Sequence, residues 1–145
     1  MIRPYKDDDF KMLIHIFRLN VPQAFDPSEE IELIQFINHH KRTYFTYEFE
    51  GVPVGFGGYH ITEDTSVARL SWQFFNPKYQ KMGLGTQMTM FRLNEIKKNT
   101  DVKIISSWTS QHAFAFYEKF GFKLAEMQKD FWGEGLDLYR MELIV

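Results

Sequence analysis

The stretch that decides the fold of this 145-residue chain reads Phe75-Asn76-Pro77-Lys78-Tyr79-Gln80-Lys81-Met82-Gly83-Leu84-Gly85-Thr86. It lies between a predicted strand, 67–76, and a predicted helix, 85–98. Glycine at positions 83 and 85 lets the backbone adopt a positive φ and lets a ligand approach closely. The following helix directs unpaired N–H groups and the positive end of its dipole into the turn. Such a turn favours a phosphate group without needing a charged side chain.

Two better-known phosphate motifs do not fit this turn. A P-loop requires Lys followed by Ser or Thr after its second glycine, and no such pair follows Gly85. A dinucleotide fingerprint requires a third glycine at position 88, which is Met88, and it usually opens the first β-α-β unit. The glycine pattern taken alone is equally compatible with a tight strand-to-helix connection that binds nothing.

The rest of the pattern predicts a single domain with the order β-α-α-β-β-β-α-β-α-β-β. The expected strands are 1–3, 43–49, 52–61, 67–76, 102–108, 122–132 and 136–144. The expected helices are 8–19, a segment capped by Asp26 that ends near His40, 85–98, and a segment capped by Thr109 or Ser110 that ends before Gly121. In the second helix we expect Glu29 to complete a capping box and Ile31, Ile34 and Ile37 to face the core. Helices interleaved with antiparallel strands predict a mixed, mostly antiparallel sheet of about seven strands flanked by four helices.

Composition narrows the class of partner. The chain carries 17 basic and 19 acidic side chains with no long basic run, so we expect no nucleic-acid partner. No apolar run approaches the roughly 20 residues that span a bilayer, so no membrane association is expected. With no Cys and no secretory pattern at the N-terminus, we expect a cytoplasmic location. His39 and His40 are adjacent and diverge on a helix, so no metal site is expected.

Two blocks of sequence together resemble one family. The spacing Gln80-x-x-Gly83-x-Gly85 after a strand that ends in Asn-Pro resembles the Gln/Arg-x-x-Gly-x-Gly/Ala signature of the GNAT superfamily of N-acetyltransferases. The block Ala113-Phe114-Ala115-Phe116-Tyr117-Glu118-Lys119-Phe120-Gly121-Phe122 is similar to that family's Ala-x-x-Phe/Leu-Tyr-x-x-x-Gly-Phe segment. The order of elements also agrees, so the resemblance covers essentially the whole chain.

The resemblance implies a GNAT fold in which acetyl-CoA lies between two parallel strands that separate, here 67–76 and 102–108. Backbone groups near the end of the first strand would pair with the pantetheine, and N–H groups of the glycine turn would hold the pyrophosphate. Ser110 stands where some members place an Asn that contacts pantetheine, and it serves as N-cap, as pantetheine partner or as both. The expected cofactor-binding residues are Gln73, Phe74, Phe75, Gln80, Lys81, Met82, Gly83, Leu84, Gly85, Thr86, Ser110, Ala113, Phe116 and Tyr117.

The resemblance also places Tyr117 where many members carry a tyrosine near the sulfur of CoA. A phenol is protonated at neutral pH and can protonate the departing thiolate, so we expect Tyr117 to act as the general acid. Its spacing equally fits a core tyrosine. Some members place a catalytic Glu where this chain has Ile105, so the base stays open among His60, Glu63, Asp64, Glu29 and Glu30.

The expected activity is therefore transfer of an acetyl group from acetyl-CoA to a primary amine of a small molecule or a peptide. The alternative is a non-catalytic domain that binds acyl-CoA as a sensor or partner module. The acceptor carries no readable motif, although Phe131, Trp132 and Tyr139 either line its pocket or belong to the core. Paired chains are common for this fold, so a homodimer is one expectation for the assembly.

Overall fold

A computed structural model describes residues 1–145 and confirms the predicted order of elements. The strands are β1 (Ile2–Pro4), β2 (Tyr44–Phe49), β3 (Val52–Ile61), β4 (Val67–Phe75), β5 (Ile104–Thr109), β6 (Lys123–Gly133) and β7 (Leu136–Ile144). The helices are α1 (Phe10–Leu19), α2 (Glu29–His40), α3 (Leu84–Lys97) and α4 (Phe114–Glu118). None of these helices is both long enough and apolar enough to cross a membrane.

The strands form one seven-stranded sheet in the order β1-β2-β3-β4-β5-β7-β6, and only the β4–β5 pair is parallel. That central ladder is short. It runs from Val67 opposite Ile104 to Leu70 opposite Ser107 and then stops, although β4 continues to Phe75. The second half of β4 therefore has a neighbour on the β3 side only, and the sheet opens between its two central strands.

A bulge in β4 changes which way its side chains face. Opposite β3, Phe74 pairs with Phe56 and Ser71 pairs with Gly58, so two residues of β4 lie opposite one of β3. Trp72 takes a φ of 50°, which is unusual for a residue with a large side chain. Its carbonyl oxygen accepts a hydrogen bond from the Tyr44 hydroxyl (2.7 Å). Because of the extra residue, the side chain of Gln73 turns toward α3.

Close packing accounts for the glycines that would otherwise weaken β3. A Cβ on Gly58 would lie 2.5 Å from Cδ1 of Tyr44, and one on Gly57 would lie 3.0 Å from Cγ of Met88. Tyr44 belongs to the core on the α1 and α2 side of the sheet, and Met88 belongs to α3. Side chains on both faces of the sheet thus approach the backbone of β3 directly.

The second helix begins and faces differently from the prediction. It starts at Glu29, because Asp26 uses its carboxylate to accept the Ser28 N–H (3.0 Å) in a turn that precedes the helix. The returning half of the capping box is present, since the Asp26 N–H donates to Glu29 Oε2 (2.8 Å). Of the expected isoleucine stripe, Ile37 is buried as predicted, Ile34 is half-buried, and Ile31 was wrong, since it is 66% exposed. The buried stripe is Glu29, Leu33 and Ile37. A carboxylate therefore lies on the buried face of α2.

The other helix boundaries shift modestly. The acidic run Asp7–Asp9 forms a 3-10 turn before α1, and α4 is a five-residue helix that begins at Phe114. The N-cap of α4 is Ala113, so the prediction that Thr109 or Ser110 caps this helix was wrong. The Ser110 hydroxyl oxygen instead accepts the N–H of His112 (3.2 Å) in the turn that precedes the helix.

The N-terminal edge is held by a buried ion pair. Asp9 accepts two hydrogen bonds from the Arg3 guanidinium, both 2.8 Å, and further ones from the Lys6 N–H and the Thr46 hydroxyl. Burial alone would raise the pKa of Asp9, but these donors outweigh it and hold the pKa below its usual value. The pair joins β1, β2 and the start of α1.

We expect Asp9→Asn to lower the free energy of unfolding by about 3 kcal/mol, the low end for a broken buried ion pair, because Arg3 keeps its contact with Glu48. The pKa of Asp9 is lower in the folded protein than in the unfolded chain, so Asp9 contributes its full stabilisation at any pH above its pKa in the unfolded chain. It is lost as the pH falls below about 4. Urea denaturation at pH 7 and pH 3 measures both effects. The exposed Asp8→Asn is the matched control, and an equal loss there would contradict the assignment.

Candidate active site

A cavity of about 930 Å³ opens where β4 and β5 separate. Its walls come from both sides of the sheet. One wall is formed by α2 and the α1–α2 connection, and the other by the start of α3 and the region of α4. The two ends of the cavity are the glycine turn that follows β4 and the point where the β4–β5 ladder stops.

The glycine turn has the backbone geometry that the sequence predicts. Gly83 directly precedes α3 with φ 79° and ψ 8°, a conformation that glycine adopts without steric cost. Lys81 also takes a positive φ, 64°. A side-chain oxygen of Asn76 accepts the N–H of Lys78 (3.0 Å) and shapes the chain as it leaves β4. The first N–H groups of α3 have no acceptor within the helix, so the turn offers donors to an anion.

The predicted cofactor residues come together at this cavity. Every one of them lines it except Met82, whose side chain is 48% exposed and points elsewhere. The carbonyl oxygen of Phe75 accepts an N–H from the buried Asn20 (2.9 Å), which ties the end of β4 to the end of α1. The individual roles of these residues as CoA ligands stay predictions.

A polar network fastens the free half of β4 to α3. Gln73 donates from Nε2 to the carbonyl oxygen of Gly85 (3.2 Å), and its Oε1 accepts from the Thr89 hydroxyl (3.1 Å) and from Arg92 (2.5 Å). Arg92 is fully buried and also donates to the carbonyl oxygen of Gly58 (3.0 Å). No carboxylate balances its charge, and its Nε has no partner. Burial lowers the pKa of Arg92, and the Tyr117 phenol opposes this shift.

Tyr117 lies at the cavity, and its role as general acid stays a prediction. Its ring packs edge-on against Phe116 at 5.2 Å and Phe122 at 5.7 Å, and the residue lines the cavity. It is also part of the core beneath α3. The packing and the functional interpretations of this residue are therefore compatible, because its ring is in the core while the residue borders the cleft.

Glu29 is the buried carboxylate of the opposite wall. It is 4% exposed, lines the cavity, and accepts one hydrogen bond, from the Asp26 N–H. Burial raises the pKa of Glu29 to about 7, helped by the nearby charges of Glu32 and Asp26. A group with a pKa near the working pH is well suited to accept a proton.

The structure separates Glu29 from the other candidate bases. Glu63 and Asp64 lie in an exposed turn away from the cavity, and Glu30 pairs with Arg18 (2.7 Å). His60 does line the cavity. However, burial and its neighbours His40 and Arg69 lower the pKa of His60 to about 4, which leaves it a weak base.

Sequence reasoning missed several polar residues of the cavity. The sequence pattern of the helix 85–98 predicted only apolar residues on its inward face, so it did not indicate Arg92. No motif around Arg69 indicated that it belongs to the site. Of the aromatic residues considered for an acceptor pocket, Trp132 lines the cavity, whereas Phe131 and Tyr139 do not. The unforeseen lining residues include Asn20, Gln35, Phe36, His39, His40, Arg69, Arg92 and Trp108. His40 and His60 stack at 4.9 Å, and no group of three metal-ligating side chains occurs in the chain.

Comparisons with known proteins agree with this geometry. Residues 10–122 match the model of the acetyltransferase (GNAT) family. An N-alpha-acetyltransferase of Sulfurisphaera tokodaii is 22% identical over 97% of this chain and 90% of its own length. The crystal structure of Ard1 from Thermoplasma volcanium superposes with a TM-score of 0.85 at 18% identity, covering 100% of this chain and 97% of that one. An acetyltransferase from Salmonella typhimurium, solved with its cofactor acetyl-CoA, gives a TM-score of 0.75 at 16% identity over 99% and 92% of the two chains.

The raised pKa of Glu29 predicts a stabilising substitution. The usual pKa of a Glu is 4.5, and that of the folded Glu29 is about 7. At a pH between these two values the unfolded chain has released the proton that the folded protein keeps, so the free energy of unfolding of the wild type falls as the pH rises through this window. Glu29→Gln removes the buried charge and can still accept the Asp26 N–H. We expect it to raise the free energy of unfolding by up to about 3 kcal/mol at pH 8, with little effect at pH 4.

Chemical denaturation across pH 4 to 8 measures this difference. Glu30→Gln is the matched control, since Glu30 neighbours Glu29 but lies outside the cavity. A Glu29→Gln variant that is less stable than the wild type at pH 8 would contradict the assignment.

Proposed function

This chain belongs to the acetyltransferase (GNAT) family, and on that premise we propose that it transfers the acetyl group of acetyl-CoA to a primary amine. The observation that carries the proposal is the early end of the β4–β5 ladder at Leu70 and Ser107. It opens one cavity bordered by the glycine turn, by Tyr117 and by Glu29. An anion site, a proton donor and a proton acceptor thus share one cleft.

Acetyl-CoA fits the cleft in one direction. Its pyrophosphate would lie on the N–H groups at the start of α3, and its pantetheine would run beside the unpaired half of β4, from Phe75 back toward Ser71. The strand edge there offers backbone groups that β5 does not pair. The acetyl group would then reach the point where the two strands meet, between the walls that hold Tyr117 and Glu29.

The proposed reaction is direct attack of the amine on the thioester. The amine nitrogen bonds to the carbonyl carbon, and the carbon–sulfur bond breaks as the tetrahedral intermediate collapses. Glu29, directly or through water, accepts the proton that the amine nitrogen loses. Tyr117 gives its proton to the departing sulfur and recovers one from solvent. The products are the N-acetylated amine and CoA.

The relatives suggest the first acceptor class to test. The Sulfurisphaera tokodaii relative is named an N-alpha-acetyltransferase, so a peptide α-amine is the first choice and small primary amines are the second. Thiol release from acetyl-CoA against both sets of amines tests the proposal. Saturation with CoA at 100 times its dissociation constant should stabilise the fold by ~2.7 kcal/mol. Stabilisation without thiol release for any amine would instead favour a non-catalytic acyl-CoA-binding module.

We expect Tyr117→Phe to lower kcat by roughly 10²–10⁴-fold while CoA still raises the melting temperature, because the ring packing remains and only the acidic proton is lost. Steady-state thiol release and thermal denaturation measure the two effects. Tyr139→Phe is the matched control, since Tyr139 packs on Phe114 at 4.6 Å outside the cavity. Unchanged kcat in Tyr117→Phe would remove the acid role.

We expect Glu29→Gln to lower kcat by roughly 10²–10⁴-fold, with a pH dependence that identifies the group. Only the ionised carboxylate accepts a proton, so the ratio of wild-type to variant kcat should rise as the pH increases through about 7 and then level off. Taking the ratio cancels the titration of the amine itself. A ratio that does not change with pH would show that Glu29 is not the base, and Glu30→Gln controls for the lost charge.

A further inference from the structure

We propose that the Arg69 guanidinium binds a carboxylate of the acceptor, so that the acceptor is an amine with a carboxylate close to its nitrogen. This inference rests on the proposed function, because it concerns the second substrate of the same cleft. The carboxylate belongs either to a free amino acid or to a residue near the N-terminus of a peptide. Both sources present the same chemistry to the cleft.

Arg69 has no partner for its charge within the protein. Its guanidinium makes no hydrogen bond, and no carboxylate lies within 4 Å of it. Its guanidinium lies over the ring of Trp108, whose centre is 3.9 Å from Cζ. Stacking of this kind fixes the plane of a guanidinium and leaves its edge donors free. Arg92 Nε is the only fully enclosed side-chain donor without a partner, so the donors of Arg69 keep access to solvent, and the residue lines the cavity.

Among the groups around it, Arg69 carries the positive charge on this side of the cavity. Burial lowers the pKa of Arg69 to about 10, opposed by the charge of Glu32 on α2, so the guanidinium stays charged at neutral pH. The nearby His60 is neutral there, because burial, His40 and Arg69 together lower its pKa to about 4. A half-buried cation without an anion is costly, and a bound carboxylate would offset that cost with paired hydrogen bonds.

The position of Arg69 along β4 excludes the phosphates of CoA as its ligand. Arg69 lies before the end of the β4–β5 ladder, opposite Ser106, whereas the glycine turn follows Phe75. Six residues of β4 separate Arg69 from the glycine turn, a distance of roughly 20 Å at 3.3 Å per residue. Arg69 therefore flanks the end of the cleft where the acetyl group and the amine would meet.

Arg69 and Glu29 together complement an acceptor that carries both an amine and a carboxylate. Arg69 and the buried Glu29 line the same cavity on the α2 side of the sheet. An acceptor whose amine approaches the thioester near Glu29 would place a nearby carboxylate on Arg69. An amine without a carboxylate would leave the guanidinium unpaired in the complex. The cleft should therefore select between amines that differ only in this group.

Matched acceptor pairs test this selection. The free amino acid arm compares L-alanine with L-alaninamide, and the peptide arm compares the amides of the tripeptides Ala-Asp-Ala and Ala-Asn-Ala. In at least one arm the wild type should prefer the carboxylate by kcat/KM. Arg69→Gln should reduce that preference roughly 10–100-fold, the effect of a lost charge-assisted hydrogen bond. Arg69→Lys should retain part of it. The arm that responds identifies the source of the carboxylate.

Glu32→Gln is the control, since it removes the neighbouring charge and should leave the preference equal or larger. Arg69→Gln should not lower the melting temperature and should keep its rise with CoA. The proposal would be overturned if the wild type showed no preference for the carboxylate in either arm. It would also be overturned if Arg69→Gln lowered kcat/KM equally for both acceptors of each pair, because a purely structural role of Arg69 would not distinguish a carboxylate from an amide.

A binding measurement separates this proposal from the proposed function. The CoA-saturated protein, which has no acetyl group to transfer, is titrated with each probe of the same pairs, and binding is followed by tryptophan fluorescence. Tighter binding of the carboxylate probe that disappears in Arg69→Gln supports the anion site even if no amine is acetylated. Equal affinities of the wild type for both members of each pair would overturn the anion site even if turnover is observed.

Discussion

The early end of the β4–β5 ladder is the constraint on which the rest of this structure depends. Two parallel strands in the centre of a sheet would normally pair along their whole length, because buried N–H and C=O groups need partners. Here the pairing stops at Leu70 and Ser107, and Phe75 lies five residues farther along β4 with no strand on its β5 side. The separation gives the molecule one deep cleft. It also places the glycine turn at one end of the free strand edge and the paired strands at the other.

A second layer of interactions keeps the separated strand in place. The bulge at Trp72 turns Gln73 toward α3, where it bonds to the carbonyl oxygen of Gly85 and to Arg92. Arg92 in turn donates to the carbonyl oxygen of Gly58 on β3. The start of α3, the free end of β4 and the middle of β3 thus share one buried network. A buried guanidinium tolerates few arrangements of its neighbours, which makes the network specific as well as stabilising.

The charges of the cleft are arranged for the two halves of the proposed chemistry. Burial keeps Glu29 near the middle of its titration at neutral pH, keeps His60 neutral, and leaves Arg69 as an unpaired cation. A carboxylate and a guanidinium in this condition each lower stability when they are charged and unpartnered. Such strain is typical of functional sites, where stability is sacrificed for activity.

The sequence by itself determined the order of the elements, the glycine turn that leads into α3 at Gly83, and the position of Tyr117 after β5. These are local features: a positive φ at glycine, free N–H groups at the start of a helix, and the spacing of motifs along the chain. Tertiary structure alone decided the face of α2, because Ile31, Leu33, Ile34 and Ile37 allow two phases of apolar stripe and only the neighbouring layers choose between them. That choice buries Glu29 and shifts its pKa. Residues far away in the chain likewise decide the bulge at Trp72. They also decide that Arg69 and Arg92 have no carboxylate beside them. Burial and the absence of a partner are properties of the surroundings of a side chain, so no local pattern could show them.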